Sequence, residues 1–235
     1  TVAVGQAVGA GDLKKASSAI GNTVTLFLGV SVALTVVLLV CVRPIVGIIS
    51  TPEEAVEGTI RYLTICFIGI PFITAYNIIS SIFRGLGDSK SPMYFIAIAC
   101  VANIILDYVF MGVFRIGPAG AALGTTISQT ISVITALVAM RKKKIGIRVA
   151  GRDLKPQGKV MGQLLRVGVP VACQDGLIQV AFIIITIIAN RRGLSDAAAV
   201  GIVEKIISFV FLVPSSMLST VSALCAQNIG AGKHD

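Results

Sequence analysis

Two carboxylates lie inside long apolar stretches of this sequence, and chemistry can be assigned to them first. Asp107 follows Asn103 by four residues, so the two side chains share a face if the segment is helical. Asp175 directly follows Gln174 in a second apolar stretch. Ionisable groups in apolar spans are costly and usually functional. We therefore predict that these segments bind a cation, a proton or a cationic ligand.

Asp107 and the hydroxyl of Thr125, on the next apolar stretch, are predicted to lie at nearly the same depth in the membrane. Asp107 precedes the turn at Arg115 by about 12 Å of helix, and Thr125 follows that turn by about 15 Å. On adjacent antiparallel helices, the oxygens of Asn103, Asp107 and Thr125 would converge. Such hard oxygen donors suit Na⁺, and the carboxyl could instead carry H⁺. The alternative is that Asp107 only hydrogen-bonds a neighbouring helix; no other metal site is predicted.

Asp175 lies about 12 Å from the inner end of its own apolar stretch. A carboxylate at that depth would attract a cationic substrate. Gln174 and Asp175 are therefore predicted to line a substrate cavity, with a water-exposed or packing acid as the alternative.

Composition identifies the solvent around these stretches. Of the 235 residues, 55% are apolar and 13% charged, whereas a soluble domain has roughly 25% charged residues. A soluble enzyme, a nucleic-acid-binding protein and a disordered protein are therefore excluded. Six stretches reach the roughly 20 residues that a membrane-spanning helix needs: residues 16–42, 62–83, 91–114, 116–140, 167–190 and 206–232. The predicted fold is an all-α integral membrane protein with six complete transmembrane helices plus the tail of a seventh at residues 1–11.

The basic residues predict the orientation in the bilayer. Fourteen of the 20 lie on one side of the predicted spans, and nine of these lie between residues 141 and 166, beside the single acid Asp153. We predict that this linker is cytoplasmic and that the protein is a multi-pass protein of the cell membrane. The linker has no aromatic residue for base stacking, so no nucleic-acid partner is predicted. Residues 84–90 are predicted to form a tight cytoplasmic turn.

Small residues and prolines mark the starts of two helices. Ser91 is predicted to cap the helix that carries Asp107, and Gly117 with Pro118 to begin the helix that carries Thr125. Gly120 and Gly124 then form a G-x-x-x-G face on which a neighbouring helix can approach closely.

A short motif, Q-x-x-G-A-G, occurs twice, beginning at Gln6 and at Gln227. Each copy ends an apolar stretch and is followed by charge. Five complete predicted spans lie between the two copies, and the sixth ends in the second copy. A repeat of six helices with unchanged orientation is typical of secondary transporters built from two parallel halves.

These motifs resemble those of bacterial MATE (multidrug and toxic compound extrusion) transporters. The matching segments are the two Q-x-x-G-A-G motifs, GIPFITAYNIISSIFRGLGDSKSPM at 69–93, NIILD at 103–107, GPAGAALGTTISQ at 117–129 and GVPVACQ at 168–174. The resemblance covers essentially the whole chain. It implies a transporter of about twelve helices in two lobes, of which this chain would hold the tail of helix 2 through helix 8.

The resemblance also implies a domain organisation. Residues 1–140 would form the first lobe, residues 141–160 the basic cytoplasmic linker, and residues 161–235 the start of the second lobe.

The implied function is a cation-coupled antiporter, not an enzyme, that uses Na⁺ or H⁺ to export organic, often cationic, compounds and needs no other cofactor. Asn103, Asp107 and Thr125 match a cation-coupling site of some family members. The coupling Glu that others carry on helix 7 would fall near Ile178, where this sequence departs from the family pattern. A lipid-linked oligosaccharide or polysaccharide flippase of the same superfamily is the alternative.

Overall fold

Helices make up most of the described chain. The computed structural model describes residues 1–48, 53–143, 151–192 and 194–233. The helices in these ranges are α1 (Val2–Gly9), α2 (Leu13–Ile48), α3 (Glu53–Gly85), α4 (Lys90–Asp107), a π-helical segment (Tyr108–Val113), α5 (Pro118–Lys142), α6 (Gly158–Arg192), α7 (Leu194–Val210) and α8 (Leu212–Gly230).

Six helical stretches of the described residues are long and apolar enough to cross a membrane. They lie in α2, in α3, in α4 with the π-helical segment, in α5, in α6, and in α7 with α8. The six predicted spans are therefore confirmed, and α1 corresponds to the predicted tail of a seventh.

Two of the predicted spans are not uninterrupted α-helices. The last one divides at Phe211, between α7 and α8. Pro214 explains this break, because its ring has no N–H for the carbonyl of Val210 and crowds that carbonyl. The span that carries Asp107 passes into the π-helical segment directly after Asp107, and no proline lies there to signal the change.

The predicted helix starts are right in one case and wrong in the other. α5 begins as expected, with Gly117 at a φ of 72° and Pro118 in its first turn. α4 begins at Lys90, and Ser91 does not cap it. Instead the carboxylate of Asp88 accepts the backbone N–H of Ser91 at 3.0 Å and its hydroxyl at 2.7 Å.

The core of the first five helices is centred on α3, which packs against both α2 and α5. One buried cluster joins α3 to α4 and α5, where the rings of Phe83 and Phe95 meet edge to face at 5.5 Å. A second cluster joins α3 to α1 and α2 around Val4, Ile20 and Ile82. These contacts hold α4 and α5, which carry the predicted ion site, in a fixed relation to α3.

The last three helices expose mostly apolar side chains. Phe209 is 77% exposed and Leu218 is 70% exposed. They contact the preceding helices where α8 meets α1 and α3 and where α6 meets α2. An apolar surface of this extent marks contact with lipid or with further protein.

The second half of the linker is attached to α2. Asn22 is fully buried and its amide oxygen accepts the backbone N–H of Gln157 at 2.7 Å. The hydroxyl of Thr25 donates to the carbonyl of Leu154 at 2.8 Å, and Gly21 gives the carbonyl of Asp153 room to approach. Residues 153–157 therefore lie fixed along one face of α2.

Candidate ion and substrate sites

The structure brings Asn103, Asp107 and Thr125 together, as the sequence predicts. The amide nitrogen of Asn103 lies 3.4 Å from Oδ1 of Asp107 and 3.5 Å from Oγ1 of Thr125. Asn103 and Asp107 are half-buried and Thr125 is exposed. Both distances are long for hydrogen bonds, so the three groups converge without saturating one another.

Two structural features lie next to this trio. Asp107 is the last residue of α4 before the π-helical segment, and such segments occur often at functional sites. On the facing helix, Gly120 contacts Phe110 and Gly124 contacts the Asp107 carboxylate itself. The predicted G-x-x-x-G face therefore does receive the neighbouring helix.

The trio carries side-chain oxygens of the kind that small hard cations bind. A carboxylate, a hydroxyl and a side-chain amide can each supply an oxygen, since the amide can turn its oxygen rather than its nitrogen toward a ligand. Hard cations take such ligands. The same carboxylate could bind and release a proton, with the Asn103 amide as its hydrogen-bond partner.

Gln174 and Asp175 lie away from the trio. Both are exposed on α6, which contacts α2 and α7, whereas the trio lies on α4 and α5. The structure therefore separates the two predicted sites onto different groups of helices.

A cavity of about 370 Å³ lies between α1, α2, α3 and α6. Its polar lining residues include Gln6, Thr23, Ser81 and Gln163, and the rest of the lining is largely apolar. Neither Gln174 nor Asp175 lines this cavity, and within the described ranges of the chain none of its lining side chains is charged.

Residues 84–90 form a tight turn between α3 and α4, as predicted. Gly87 has a φ of 85°, which glycine adopts readily. The Asp88 carboxylate that follows it lies 2.6 Å from Nζ of Lys143, just beyond α5. Partial burial raises the pKa of Asp88, but hydrogen bonds from Lys143 and Ser91 outweigh it and lower the pKa to about 2.

The two Q-x-x-G-A-G motifs have the same local structure. The N–H of Ala10 donates to the carbonyl of Gln6, and that of Ala231 donates to the carbonyl of Gln227. In both copies the final glycine has a positive φ, 69° at Gly11 and 73° at Gly232. The sequence repeat is therefore a structural repeat.

These two motifs also pack against each other. A Cβ on Gly9 would overlap the backbone carbonyl of Gln227, and a Cβ on Gly230 would overlap that of Gln6. The contact is reciprocal, as expected for two copies related by a two-fold axis. In addition, the side-chain amide of Gln227 donates to the carbonyl of Gly85 at the end of α3, at 2.9 Å.

Sequence reasoning missed two features around these sites. The contact of Gly124 with the Asp107 carboxylate could not be read from the G-x-x-x-G spacing, which signals only close packing. The attachment of the linker did leave a signal, because Ser18, Gly21, Asn22 and Thr25 recur at helical spacing on one face of α2.

Comparison with known proteins places these features in a family. The MatE family model matches residues 1–109 and 170–235. The chain is 30% identical over its whole length to "Probable multidrug resistance protein YoeA" of Bacillus subtilis, of which it covers 52%. It is 33% identical to "Probable multidrug resistance protein YpnP" of the same organism, with 97% of the chain and 51% of that protein covered.

Solved structures share the fold. A crystal structure of MATE in complex with MaD3S superposes with a TM-score of 0.86 at 23% identity, and covers 99% of this chain and 53% of the other. An outward-facing multidrug resistance MATE family transporter gives 0.84 at 24% identity, with 99% and 52% covered. The chain spans about half the length of the relatives that it matches.

Proposed function

Because the chain belongs to the MatE family, we propose that it works within a cation-coupled antiporter that exports organic, often cationic, compounds across the cell membrane. In this proposal residues 1–140 belong to the first lobe, residues 141–160 are the cytoplasmic linker and residues 161–235 begin the second lobe. The basic stretch 141–166 is cytoplasmic by the distribution of charge.

The observation that carries the proposal is the convergence of Asn103, Asp107 and Thr125 inside a membrane-spanning pair of helices. A carboxylate in a membrane span is energetically costly and usually has a function. Binding of Na⁺ or H⁺ at Asp107 would be that function. The ion would bind from one side of the membrane and leave on the other, which couples its gradient to export.

The contact between α1 and α8 supports a rocking mechanism. In the proposed division of the chain, α1 belongs to the first lobe and α8 to the second, and both end on the cytoplasmic side. Their close contact at Gly9 and Gly230 would close that side, and its separation would open the path to the cytoplasm.

The substrate region is proposed along α6 and the helices that face it. Asp175 and Gln174 would attract a cationic compound from an exposed position, while the cavity between α1, α2, α3 and α6 offers amide, hydroxyl and apolar contacts. A flippase for an anionic lipid-linked sugar is less well supported, because among the residues that the structure describes none with a basic side chain lines that cavity.

The test of the coupling role is Asp107→Asn in the full-length transporter, reconstituted in proteoliposomes. The variant keeps the size of the side chain and its hydrogen bonds but loses the charge, so we expect near-complete loss of efflux driven by a Na⁺ or pH gradient. Thr125→Val removes one oxygen and should weaken ion dependence more mildly.

Asp175→Asn is the matched control, since it removes an intramembrane carboxylate outside the trio. We expect it to shift substrate preference away from cations while gradient dependence is kept. Normal gradient-driven efflux by Asp107→Asn, together with an inactive Asp175→Asn, would move the coupling role to α6.

A further inference from the structure

Gly124 contacts the carboxylate of Asp107 across the α4–α5 interface. A Cβ atom on Gly124 would overlap Oδ1 of Asp107, and it would lie 3.4 Å from both Cγ and the backbone nitrogen of Asp107. The carboxylate oxygen therefore occupies the space that any side chain at position 124 would need.

The glycine one turn earlier on α5 has a different neighbour. A Cβ on Gly120 would lie 3.1 Å from Cβ of Phe110 and 3.3 Å from its carbonyl oxygen. Both glycines let α4 and α5 approach closely, but between these two only Gly124 contacts a member of the trio. Gly120 is thus a natural control for the packing effect alone.

The contact at Gly124 holds the carboxylate of Asp107 within reach of the Asn103 amide. Gly124 is buried and directly precedes Thr125 on α5. Oδ1 of Asp107 is thus held against the backbone of α5 and lies within reach of the Asn103 amide. Asp107 is the last α-helical residue of its span. The backbone of α5 therefore limits where its carboxylate can lie.

We propose that Gly124 is a positioning residue for ion coupling. By lacking a side chain it lets Oδ1 of Asp107 lie against α5 within reach of the Asn103 amide, which also faces the Thr125 hydroxyl, and this position sets the affinity of the trio for the coupling cation. This inference rests on the coupling role proposed above.

The ion dependence of transport tests the inference. In the full-length transporter, Gly124→Ala displaces the carboxylate, so we expect the half-saturating ion concentration of gradient-driven ethidium efflux to rise about tenfold or more. NaCl is titrated at fixed pH, and pH is varied at fixed NaCl. Gly120→Ala should leave the half-saturating concentration unchanged. Wild-type ion dependence in Gly124→Ala, with Asp107→Asn inactive, would overturn the positioning role and leave the coupling role intact.

A second measurement does not depend on transport. If the added methyl collides with the carboxylate, Gly124→Ala should lower the thermal unfolding temperature in detergent. The double variant Gly124→Ala/Asp107→Ala should then recover most of the lost thermal unfolding temperature, because the effects of substitutions at contacting residues are coupled. A double variant with no recovery would show that the methyl does not meet Asp107, and the inference would fail even if Gly124→Ala were too unstable to assay for transport.

Discussion

At the scale of single residues, Asp88 joins the ends of two helices. Its carboxylate accepts the N–H and the hydroxyl of Ser91 in the first turn of α4, and it pairs with Lys143 just beyond α5. The ion pair is partly exposed and by itself contributes little. The bonds to Ser91 satisfy the free N–H of a helix start, where a negative charge is also favoured by the helix dipole.

The lowered pKa of Asp88 predicts a dependence of stability on pH. The folded protein favours the ionised carboxylate, so its contribution is complete above about pH 4 and is lost as the pH falls toward 2, the pKa in the folded state. We expect Asp88→Asn to lower the thermal unfolding temperature by a few degrees at pH 6, and the difference from wild type to shrink below pH 4. A difference that stays constant from pH 6 to pH 3 would contradict the role of the charge.

The sequence predicted the residues of the trio but not the contact of Gly124 with Asp107. Asn103, Asp107 and Thr125 could be placed together because helical rise converts sequence separation into depth, and antiparallel neighbours share a turn. Gly124 could not be assigned in the same way, since a glycine that makes room for a methyl group and one that makes room for a carboxylate look identical in sequence. The ion pair of Asp88 was not predictable either, because its partner Lys143 lies far along the chain.

At the scale of elements, the linker is part of the folded structure where it is described. The polar face of α2 meets the backbone of residues 153–157, and the fully buried Asn22 both donates to the carbonyl of Asp153 at 3.4 Å and accepts from Gln157 at 2.7 Å. Polar groups buried in this way stabilise a structure when they are paired and destabilise it when one partner is removed. These hydrogen bonds therefore attach the linker to α2 directly before α6 begins.

We predict that Asn22→Ala releases the linker. It leaves the backbone N–H of Gln157 without its acceptor, which costs about 1–3 kcal/mol. Cleavage by trypsin after Arg152 should accelerate about tenfold or more as the segment detaches. Ser31→Ala is the control, because the hydroxyl of Ser31 donates to the carbonyl of Leu28 within α2 and not to the linker residues 153–157 that the structure describes. Equal cleavage rates in the two variants would contradict the attachment.

The spans themselves could be predicted almost completely, because a bilayer demands long apolar helices whatever their packing. Their internal irregularities follow less directly. The break at Phe211 has a cause in Pro214, which the apolar composition of the stretch concealed. The π-helical segment after Asp107 has no comparable sequence signal, because no proline lies within it.

At the scale of the whole molecule, the repeat determines how the two ends of the chain meet. Two copies of the Q-x-x-G-A-G motif with the same turn geometry pack so that Gly9 lies on the backbone of Gln227 and Gly230 on the backbone of Gln6. The sequence predicted the repeat and its common orientation. It could not predict the direct contact, because nothing in either motif alone specifies its partner.

If transport requires the lobes to rock, the contact between α1 and α8 must open in each cycle, and a covalent link across it must stop transport. A Cβ on Gly5 would lie 3.1 Å from Cβ of Ala226, which is close to the separation that a disulfide needs. In a full-length background without other cysteines, oxidised Gly5→Cys/Ala226→Cys should lose efflux, and reduction should restore it.

The pair Gly69→Cys/Thr126→Cys is the control for this cross-link. A Cβ on Gly69 would lie 3.7 Å from Cβ of Thr126, and both residues belong to the proposed first lobe, on α3 and α5. A cross-link inside one lobe does not oppose a rocking motion between lobes. Oxidation should therefore leave efflux by this double-cysteine variant largely unchanged. Undiminished efflux by the oxidised α1–α8 pair would mean that this contact stays closed throughout the cycle, and the path to the cytoplasm would then have to open elsewhere.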